Sequence, residues 1–431
     1  MRIVHLVSGA GGMYCGSCMH SNTLAAALHA AGSDVVMVPL YTPVRTDEQN
    51  VSISRVAFGG INVYLQERSA LFRRTPWFLD RLLDRPGLIR WAAKGGATIR
   101  PDRLGRLTVS MLRGEEGRQR KELEKLLRWL ETTIQPDLIH LSNVLLAGMA
   151  RRLHERLGVP VVCTLAGEDL FLERLPTPYH AQARAELRRR CGDLAAMIAM
   201  NRYYAGFMAE YLSVPAERIH VVRPGLNLGG HATRPRTKRR SGAVTVGYLA
   251  RVCPEKGLHL LAEALCRLAE DPDLPQIRLR AAGYLDETER PYLGEIEKRL
   301  ADRGLADRFE YLGELDRPAK IALLQSLDVM SMPTLYRESK GLPVLEAWAN
   351  GVPVVVPSHG AFPELIDETG GGLLCEPDNP QALAAALKRL ICNADLAAAC
   401  GRRAQQAVHE RFGAEQMARR TIDLYEKVCR T

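Results

Sequence analysis

The stretch MRIVHLVSGAGGMYCGSCMHSNTLAAALHAAGSDVVMVP, residues 1–39, contains a complete strand–helix–strand pattern. A short apolar run at 4–7 leads into a glycine-rich turn at 9–12. A helical segment follows through 23–31, and a second apolar run occupies 35–39. A helix that joins two such strands implies a parallel sheet with helices on both faces. The stretch therefore predicts a doubly wound α/β fold.

The same alternation continues along the chain and starts afresh after residue 242. Residues 227–242 are rich in Gly, Arg and Pro and lack any periodicity, which is typical of a linker, and an apolar strand-like run follows at 244–249. A chain of 431 residues is long enough for two domains. The predicted organisation is a Rossmann-like N-terminal domain at 1–226, a linker at 227–242, a second doubly wound domain at 243–410 and a C-terminal helix at 411–431.

The composition is that of a globular protein, with 46% hydrophobic and 25% charged residues. No uncharged apolar stretch reaches about 18 residues, and the first apolar run is too short for a signal peptide. We therefore expect a cytoplasmic protein. Of the ten cysteines only Cys15 and Cys18 are close in sequence, and no second pair completes a zinc site. Buried reduced thiols are favoured over a redox or metal role.

The net charge of +9 is concentrated in one segment. Residues 68–128 contain 16 Lys or Arg and 7 Asp or Glu, and the strand–helix alternation is interrupted at about 66–131. We predict a helical basic insert in the first domain. Such a field attracts phosphates or acidic lipid surfaces. Two interpretations stay open: a peripheral contact with the inner membrane face through 68–128, or a helical excursion with a solvated basic face.

The most specific motif is YRESKGLPVLEAWANGVPVV at 336–355. Two carboxylates, Glu338 and Glu346, stand eight positions apart, and Gly341 and Pro343 lie between them at a predicted helix start. The free backbone N–H groups and the positive end of that helix suit a diphosphate. A neighbouring carboxylate can accept hydrogen bonds from sugar hydroxyls.

A second motif, VGYLARVCPEKG at 246–257, places two cations in the loop after a predicted strand. Arg251 can bind a phosphate bidentately and Lys256 can bind it as a point charge. Both would compensate the negative charge on a departing nucleoside diphosphate.

Together these motifs resemble the donor site of the retaining family-four glycosyltransferases of GT-B fold. The glycine loop at 9–12 and the C-terminal helix after Arg411 and Phe412 resemble that family as well. The resemblance implies two Rossmann-like domains that face each other across a cleft, with the C-terminal helix crossing back to the first domain. It also implies transfer of a hexosyl group from a nucleoside-diphosphate sugar to an unidentified hydroxyl acceptor, without a metal ion or other cofactor. The basic insert suggests a lipid-linked acceptor as an alternative to a sugar, and we expect no nucleic-acid partner.

The resemblance also assigns roles to residues. Glu338 contacts the donor sugar, Glu346 binds the ribose, and Gly12 approaches from the opposite domain, where only glycine lets the backbone come close. Glu338, Arg251 and Lys256 form the catalytic set. The backbone at Gly341 and Leu342 helps to hold the diphosphate, and the backbone at Ser339 and Lys340 helps at the sugar. The base lies near four further residues: Gly283, Tyr284, Leu312 and Leu315.

One position departs from the family pattern. The family often has a Thr-x-His-Gly sequence after the fourth strand, whereas this chain has Ala166 in the histidine position. Glu168 and Asp169 follow, and they could bind acceptor or sugar hydroxyls or cap the next helix. His140, with Asn143, is a second candidate on the acceptor side.

Two other functions stay open. A sugar-nucleotide epimerase of GT-B shape would use a similar cleft, and a non-catalytic membrane- or RNA-binding scaffold is suggested by Ala166 and the basic insert. A dinucleotide-dependent oxidoreductase is disfavoured, because the glycine loop lacks the third glycine of the Gly-x-Gly-x-x-Gly fingerprint.

Overall fold

The computed structural model describes residues 1–9, 13–54, 56–58, 101–233 and 242–430. The chain divides into two compact units, Met1–Gly225 together with Ala414–Thr431, and Leu226–Gly413. Each unit contains a six-stranded sheet in which every strand pair is parallel. The predicted pair of doubly wound α/β units is confirmed.

The first unit is built on strands β1 to β6 in the order β2-β1-β3-β4-β5-β6. The strands are β1 (Arg2–Val7), β2 (Asp34–Pro39), β3 (Leu138–Leu141), β4 (Val161–Thr164), β5 (Ala196–Ala199) and β6 (Ile219–Val221). The described helices between them are α1 (Gly16–Ala30), α2 (Pro101–Leu112), α3 (Arg120–Trp129), α4 (Ala150–Leu157), α5 (Asp169–Leu172), α6 (Tyr179–Cys191) and α7 (Arg202–Leu212). The central strands β3, β4 and β5 are buried along their whole length, which explains why they are mostly apolar.

The second unit repeats this plan with strands β7 to β12 in the order β12-β11-β10-β7-β8-β9. The strands are β7 (Val244–Leu249), β8 (Ile277–Ala282), β9 (Phe309–Tyr311), β10 (Val329–Ser331), β11 (Val354–Pro357) and β12 (Gly372–Cys375). The helices are α8 (Leu258–Ala269), α9 (Arg290–Asp302), α10 (Arg317–Ser326), α11 (Leu342–Ala349), α12 (Phe362–Thr369), α13 (Pro380–Cys392) and α14 (Ala394–Arg411).

In each sheet the first strand of the series lies inside the sheet and not at its edge. β1 lies between β2 and β3, and β7 lies between β8 and β10. The chain therefore leaves this strand in one direction and later returns to its other side. Because parallel crossovers are right-handed, this reversal puts helices on both faces and creates a topological switch point at the carboxyl ends of the two diverging strands.

The last helix, α15 (Ala414–Arg430), belongs to the first unit. Its buried residues Met417 and Tyr425 pack in one cluster with Ile3 of β1, Leu138 of β3 and Leu24 of α1. The prediction that the C-terminal helix crosses back to the first domain is confirmed.

The basic insert falls only partly within the described residues. Residues 66–100 lie outside them, and 101–131 are mostly helical, comprising α2, α3 and short turns. Of the predicted linker, 234–241 lie outside the description, and 226–233 contain no helix and only one isolated bridge. None of the helices in the described ranges is long and apolar enough to cross a bilayer. All ten cysteines are free thiols.

Candidate functional site

The two motifs singled out from the sequence meet at the switch point of the second sheet. One loop follows β7 and contains Arg251 and Lys256, and the other follows β10 and contains Glu338. β7 and β10 are neighbouring parallel strands, so the two loops leave the same edge side by side. Ligands of doubly wound sheets bind outside the carboxyl ends of the strands at this point.

The two loops are held together by backbone contacts. The N–H of Leu335 donates to the carbonyl oxygen of Glu255 at 2.9 Å. Gly257 has φ +74°, and a β-carbon at this position would lie 1.9 Å from the carbonyl oxygen of Pro333. Only glycine satisfies both the left-handed conformation and this close approach. The glycine that follows Lys256 therefore sets the spacing between the loops.

Lys256 and Glu338 form a partly enclosed ion pair across the two loops. The Lys256 Nζ lies 2.9 Å from Glu338 Oε2, and the Tyr336 hydroxyl donates to the same oxygen at 3.0 Å. The backbone N–H of Lys340 donates to Oε1 at 3.1 Å. Glu338 is only 7% exposed, so these three donors replace most of its hydration.

The pKa of Glu338 is lowered by these contacts despite its burial. Burial alone would raise the pKa, but the charge of Lys256 and its hydrogen bond, with help from Lys340, outweigh burial and hold the pKa at about 2. The pKa of Tyr336 is raised well above its usual value by burial and by the Glu338 charge. At neutral pH Glu338 is therefore a carboxylate, and Tyr336 is a neutral donor.

Helix α11 begins directly beside this pair. Gly341 is its N-cap with φ +71°, and Pro343 follows in the first turn, where its missing N–H costs nothing. Pro343 has no N–H, and the N–H groups of Val344 and Leu345 both donate to the carbonyl oxygen of Gly341, at 3.0 and 3.1 Å. The N–H of Leu342 therefore remains at the positive end of the helix dipole. Ser339, Lys340, Gly341 and Leu342 connect Glu338 to the start of this helix, and their part in donor binding stays a prediction.

Glu346 has a partner that the sequence analysis missed. It lies one turn inside α11, and Lys320 of α10 contacts its Oε1 at 2.5 Å. Both side chains are buried, at 7% and 6% exposure. The site therefore contains two enclosed Lys–Glu pairs, one on each of the predicted carboxylates. Lys320 lies on an amphipathic helix, 26 positions before Glu346. In the sequence it looks the same as a solvated lysine, so no signal predicted this pair.

The residues predicted to surround the base lie at the same edge of the sheet, in the loops after β8 and β9. A β-carbon at Gly283 would lie 1.8 Å from the carbonyl oxygen of Ala250, in the loop after β7. The N–H of Val252 donates to the carbonyl oxygen of Tyr284 at 2.8 Å. The loops after β7 and β8 are thus in backbone contact.

The loop after β9 joins them. The N–H of Gly283 donates to the carbonyl oxygen of Gly313 at 2.9 Å, between the predicted residues Leu312 and Leu315. Leu312 and Leu315 are half-buried, whereas Arg251 is exposed at the opening of the loop after β7. The loops after β7, β8 and β9 therefore form one continuous surface at the carboxyl edge of the second sheet.

On the first unit, His140 has the contacts of a core residue. It is fully buried, its Nε2 lies 2.7 Å from the Thr164 hydroxyl and its Nδ1 lies 2.7 Å from the Tyr425 hydroxyl. Its ring stacks on His5 at 4.4 Å between centroids. Burial lowers its pKa well below the usual value, so the ring is neutral. This geometry contradicts the prediction that His140 faces an acceptor.

Asn143 lies at the switch point of the first sheet. Its side chain accepts from the N–H of Leu145 at 3.1 Å, and its Nδ2 donates to the Ser8 hydroxyl, just after β1, at 2.7 Å. Asn143 thus ties the loops after β1 and β3 together and is partly exposed there. Its predicted role toward an acceptor stays a prediction. Gly12 lies outside the described residues.

Glu168 and Asp169 are buried and hold the loop after β4. Glu168 accepts from the N–H of Val144 at 2.8 Å and from the N–H of Ala166 at 2.7 Å, and Asp169 accepts from the Tyr204 hydroxyl at 2.7 Å. The capping alternative is wrong for Glu168, which makes no side-chain bond to the start of α5. Its carboxylate instead fixes the backbone at Ala166, where the family pattern has histidine.

Comparison with known proteins gives consistent matches in both halves of the chain. The family model described as "Glycosyl transferases group 1" matches residues 231–407, and that described as "Glycosyltransferase Family 4" matches residues 91–229. A D-inositol 3-phosphate glycosyltransferase from Paenarthrobacter aurescens is 30% identical over 312 residues, which cover 68% of this chain and 72% of that protein.

Two further matches differ in what they cover. A D-inositol 3-phosphate glycosyltransferase from Corynebacterium urealyticum is 31% identical over 223 residues, which span only 49% of this chain and 51% of that protein. The crystal structure of Anabaena HepE in complex with UDP and glucose matches with a TM-score of 0.68 and 18% identity, and the match covers 99% of this chain and 100% of that one. At this identity the structural match is evidence of fold alone, and it confirms the GT-B fold class.

Proposed function

Because this chain belongs to the family-four glycosyltransferases (glycosyl transferases group 1), we propose that it transfers a hexosyl group from a nucleoside-diphosphate sugar to a hydroxyl acceptor with retention of configuration. Glycosyl transfer itself follows from the family. The UDP and glucose bound by HepE support the nucleotide-sugar donor.

The observation that carries the proposal is the convergence at the β7–β10 switch point. Lys256, from the loop after β7, lies within hydrogen-bonding distance of Glu338, from the loop after β10. The start of α11 follows Glu338 along one short stretch of chain, whose backbone also bonds the carboxylate. Cations and the positive end of a helix beside a carboxylate match a ligand with a diphosphate at one end and hydroxyls at the other.

Each residue has a defined part in the proposed mechanism. Arg251, Lys256 and the N–H groups at the start of α11 stabilise the charge that develops on the departing diphosphate. Glu338, with a pKa of about 2, is too weak a base to take the acceptor proton at neutral pH. It orients sugar hydroxyls as a hydrogen-bond acceptor. The acceptor hydroxyl oxygen then bonds to the anomeric carbon on the face from which the diphosphate departs, while the bond from that carbon to the diphosphate oxygen breaks and this oxygen takes the hydroxyl proton. Attack and departure on one face retain the configuration without a protein nucleophile.

We also propose that transfer needs no divalent metal ion, because Arg251 and Lys256 already supply positive charge at the diphosphate. Activity should survive exhaustive chelation, and loss of activity that is restored by added Mg²⁺ or Mn²⁺ would refute this part. The sugar or lipid-linked nature of the acceptor and a peripheral contact of 68–128 with a membrane stay predictions.

The decisive experiment is a hydrolysis screen over a panel of nucleotide sugars, followed by a split assay on the active donor. Glu338→Ala should remove most transfer while it leaves nucleoside-diphosphate affinity nearly intact, because the carboxylate acts at the sugar. Equal loss of both properties would reject that role. An epimerised donor, recovered after incubation without acceptor, would instead support the alternative of a sugar-nucleotide epimerase.

A further inference from the structure

A separate concave site lies in the first unit, where α2 and the turn after it meet the first turn of α6. The pocket has a volume of about 250 Å³. Three arginines from one short stretch of chain line it, Arg106, Arg113 and Arg118, with Tyr179 and Gln182 of α6 opposite. None of the roles assigned to the donor site involves these residues.

Two glycines give the pocket its shape. A β-carbon at Gly105 would lie 2.5 Å from the ring of Tyr179, so this ring lies directly on the backbone of α2. A β-carbon at Gly117 would lie 2.0 Å from the carbonyl oxygen of Ser110, so the turn folds back onto α2. The N–H of Arg118 then donates to the Ser110 hydroxyl at 2.9 Å. The folded-back turn brings Arg118 to the pocket that Arg106 and Arg113 also line.

A buried guanidinium fixes the turn from beneath. Arg190 of α6 is fully buried, and its Nε donates to the carbonyl oxygen of Leu112 at 3.1 Å. Its Nη2 donates to the carbonyl oxygen of Arg113, and its Nη1 donates to Glu115 at 3.1 Å. The carbonyl groups at the end of α2 are therefore satisfied by a buried guanidinium, and without it they and Glu115 would lose these hydrogen bonds.

The lining has an excess of positive charge. Glu116 is its one acidic residue among the described ones, and Arg189, which does not line the pocket, bonds it at 3.0 Å. Glu186 accepts from Arg113 at 3.1 Å but also from Arg189 at 2.9 Å. The acids near the pocket are thus shared with an arginine outside it. Clustered guanidinium groups in a small concavity match the tetrahedral oxygens of a phosphate group.

We propose that this pocket binds the phosphate group of a small phosphate ester. Its position at the first turn of α6, the second helix after β4, puts it toward the carboxyl edge of the first sheet. The proposal concerns binding by the first unit, so it can fail or hold independently of the proposed donor chemistry. The phosphate could belong to a soluble ester or to a lipid headgroup, and the two sources are separable by experiment.

The test is titration of the whole chain with inorganic phosphate, followed by ³¹P NMR line broadening. Every chain carries Arg251→Gln, which weakens phosphate binding at the predicted donor site. The pocket variant combines Arg106→Gln with Arg118→Gln, and the matched control combines Arg120→Gln with Arg128→Gln, two exposed arginines outside the pocket lining. We expect at least tenfold weaker binding in the pocket variant and less than a twofold change in the control.

A parallel arm measures co-sedimentation with phosphatidylcholine vesicles with and without phosphatidylglycerol. Phosphate binding that is lost only in the pocket variant, without vesicle binding, supports a soluble ester. Vesicle binding that is lost only in the pocket variant, with or without phosphate binding, supports a lipid headgroup as the source. If neither probe binds, or if each probe binds the pocket variant and the control alike, the proposal is overturned.

Discussion

At the scale of single residues, the proposed donor site depends on charges that compensate one another inside the protein. Glu338 and Glu346 would each be costly to enclose alone, and each has a lysine within hydrogen-bonding distance. Lys256 keeps Glu338 ionised by lowering its pKa, and both pairs fix the direction of their carboxylates. The hydroxyl groups of a nucleotide sugar would then find hydrogen-bond-accepting carboxylates that are already oriented.

The ionisation of Glu338 leads to a prediction about pH. Its pKa is about 2 in the folded chain against an ordinary 4.5. Below about pH 4.5 the unfolded chain therefore binds a proton that the folded chain does not, and stability falls as pH falls. Wild type should lose roughly 2 kcal/mol by pH 3 relative to Glu338→Gln. The difference in Tm between the two proteins should narrow from pH 6 to pH 3.

The control for this measurement is Glu297→Gln on the exposed side of α9. Its Tm difference from wild type should stay constant over the same range. If the Tm difference between wild type and Glu338→Gln is also constant from pH 6 to pH 3, the Lys256 contact does not lower the Glu338 pKa.

At the scale of elements, the loops at the switch point depend on glycines that have no substitute. Gly257 lets the loops after β7 and β10 touch, and Gly283 does the same for the loops after β8 and β7. Gly341 starts α11 in a left-handed conformation beside Glu338. Their side-chain-free backbones therefore position the chemistry as much as the charged residues do.

Gly257→Ala should disrupt this arrangement. The substitution puts an alanine in a left-handed backbone conformation, where its β-carbon would clash with the carbonyl oxygen of Pro333. This oxygen belongs to the backbone and cannot rotate away. We expect a loss of roughly 2–5 kcal/mol in the free energy of unfolding, together with weaker donor binding. Urea unfolding and nucleotide titration measure the two effects.

The matched control is Gly294→Ala in the middle of α9, where a β-carbon would meet nothing within 4 Å. This substitution should stabilise by roughly 0.5–1 kcal/mol, because alanine favours the helix. If the two variants behave alike, loop contact is not what requires glycine at 257.

At the scale of the whole molecule, α15 completes the first unit from the far end of the chain. Tyr425 reaches the ring of His140 across 285 positions of sequence, and His5 stacks on the other side of that ring. The hydroxyls of Tyr425 and Thr164 satisfy both nitrogens of a buried neutral imidazole. The first sheet is therefore stabilised by a segment that follows the entire second unit.

Tyr425→Phe should leave Nδ1 of His140 buried without a partner. The expected cost is about 1–3 kcal/mol in the first unit. Amide hydrogen exchange can locate it: protection should fall in β1 and β3 and stay unchanged in β7 and β8. Tyr211→Phe removes a hydroxyl contact with Glu173 near the surface and should cost less than about 1 kcal/mol. Equal losses in both sheets would contradict the local role of Tyr425.

The sequence by itself determined the features that depend on neighbours along the chain. Strand and helix periodicity gave the two doubly wound units, and the Gly341–Pro343 turn gave the start of α11. The cations and carboxylates of the donor motif were visible because they flank such local signals. A left-handed turn, a helix start and an apolar strand are set by short-range sterics and hydropathy, which the sequence expresses directly.

Only the tertiary structure decided which distant groups meet. Lys320 on Glu346, Tyr425 on His140 and Arg190 beneath the end of α2 are contacts between elements whose patterns specify burial but not a partner. His140 was predicted to face an acceptor because the sequence does not show that Tyr425 and Thr164 bond its ring. In the structure it is part of the core. The physical reason is that hydropathy fixes which face turns inward, whereas the identity of the facing side chain depends on how the helices close over the sheet.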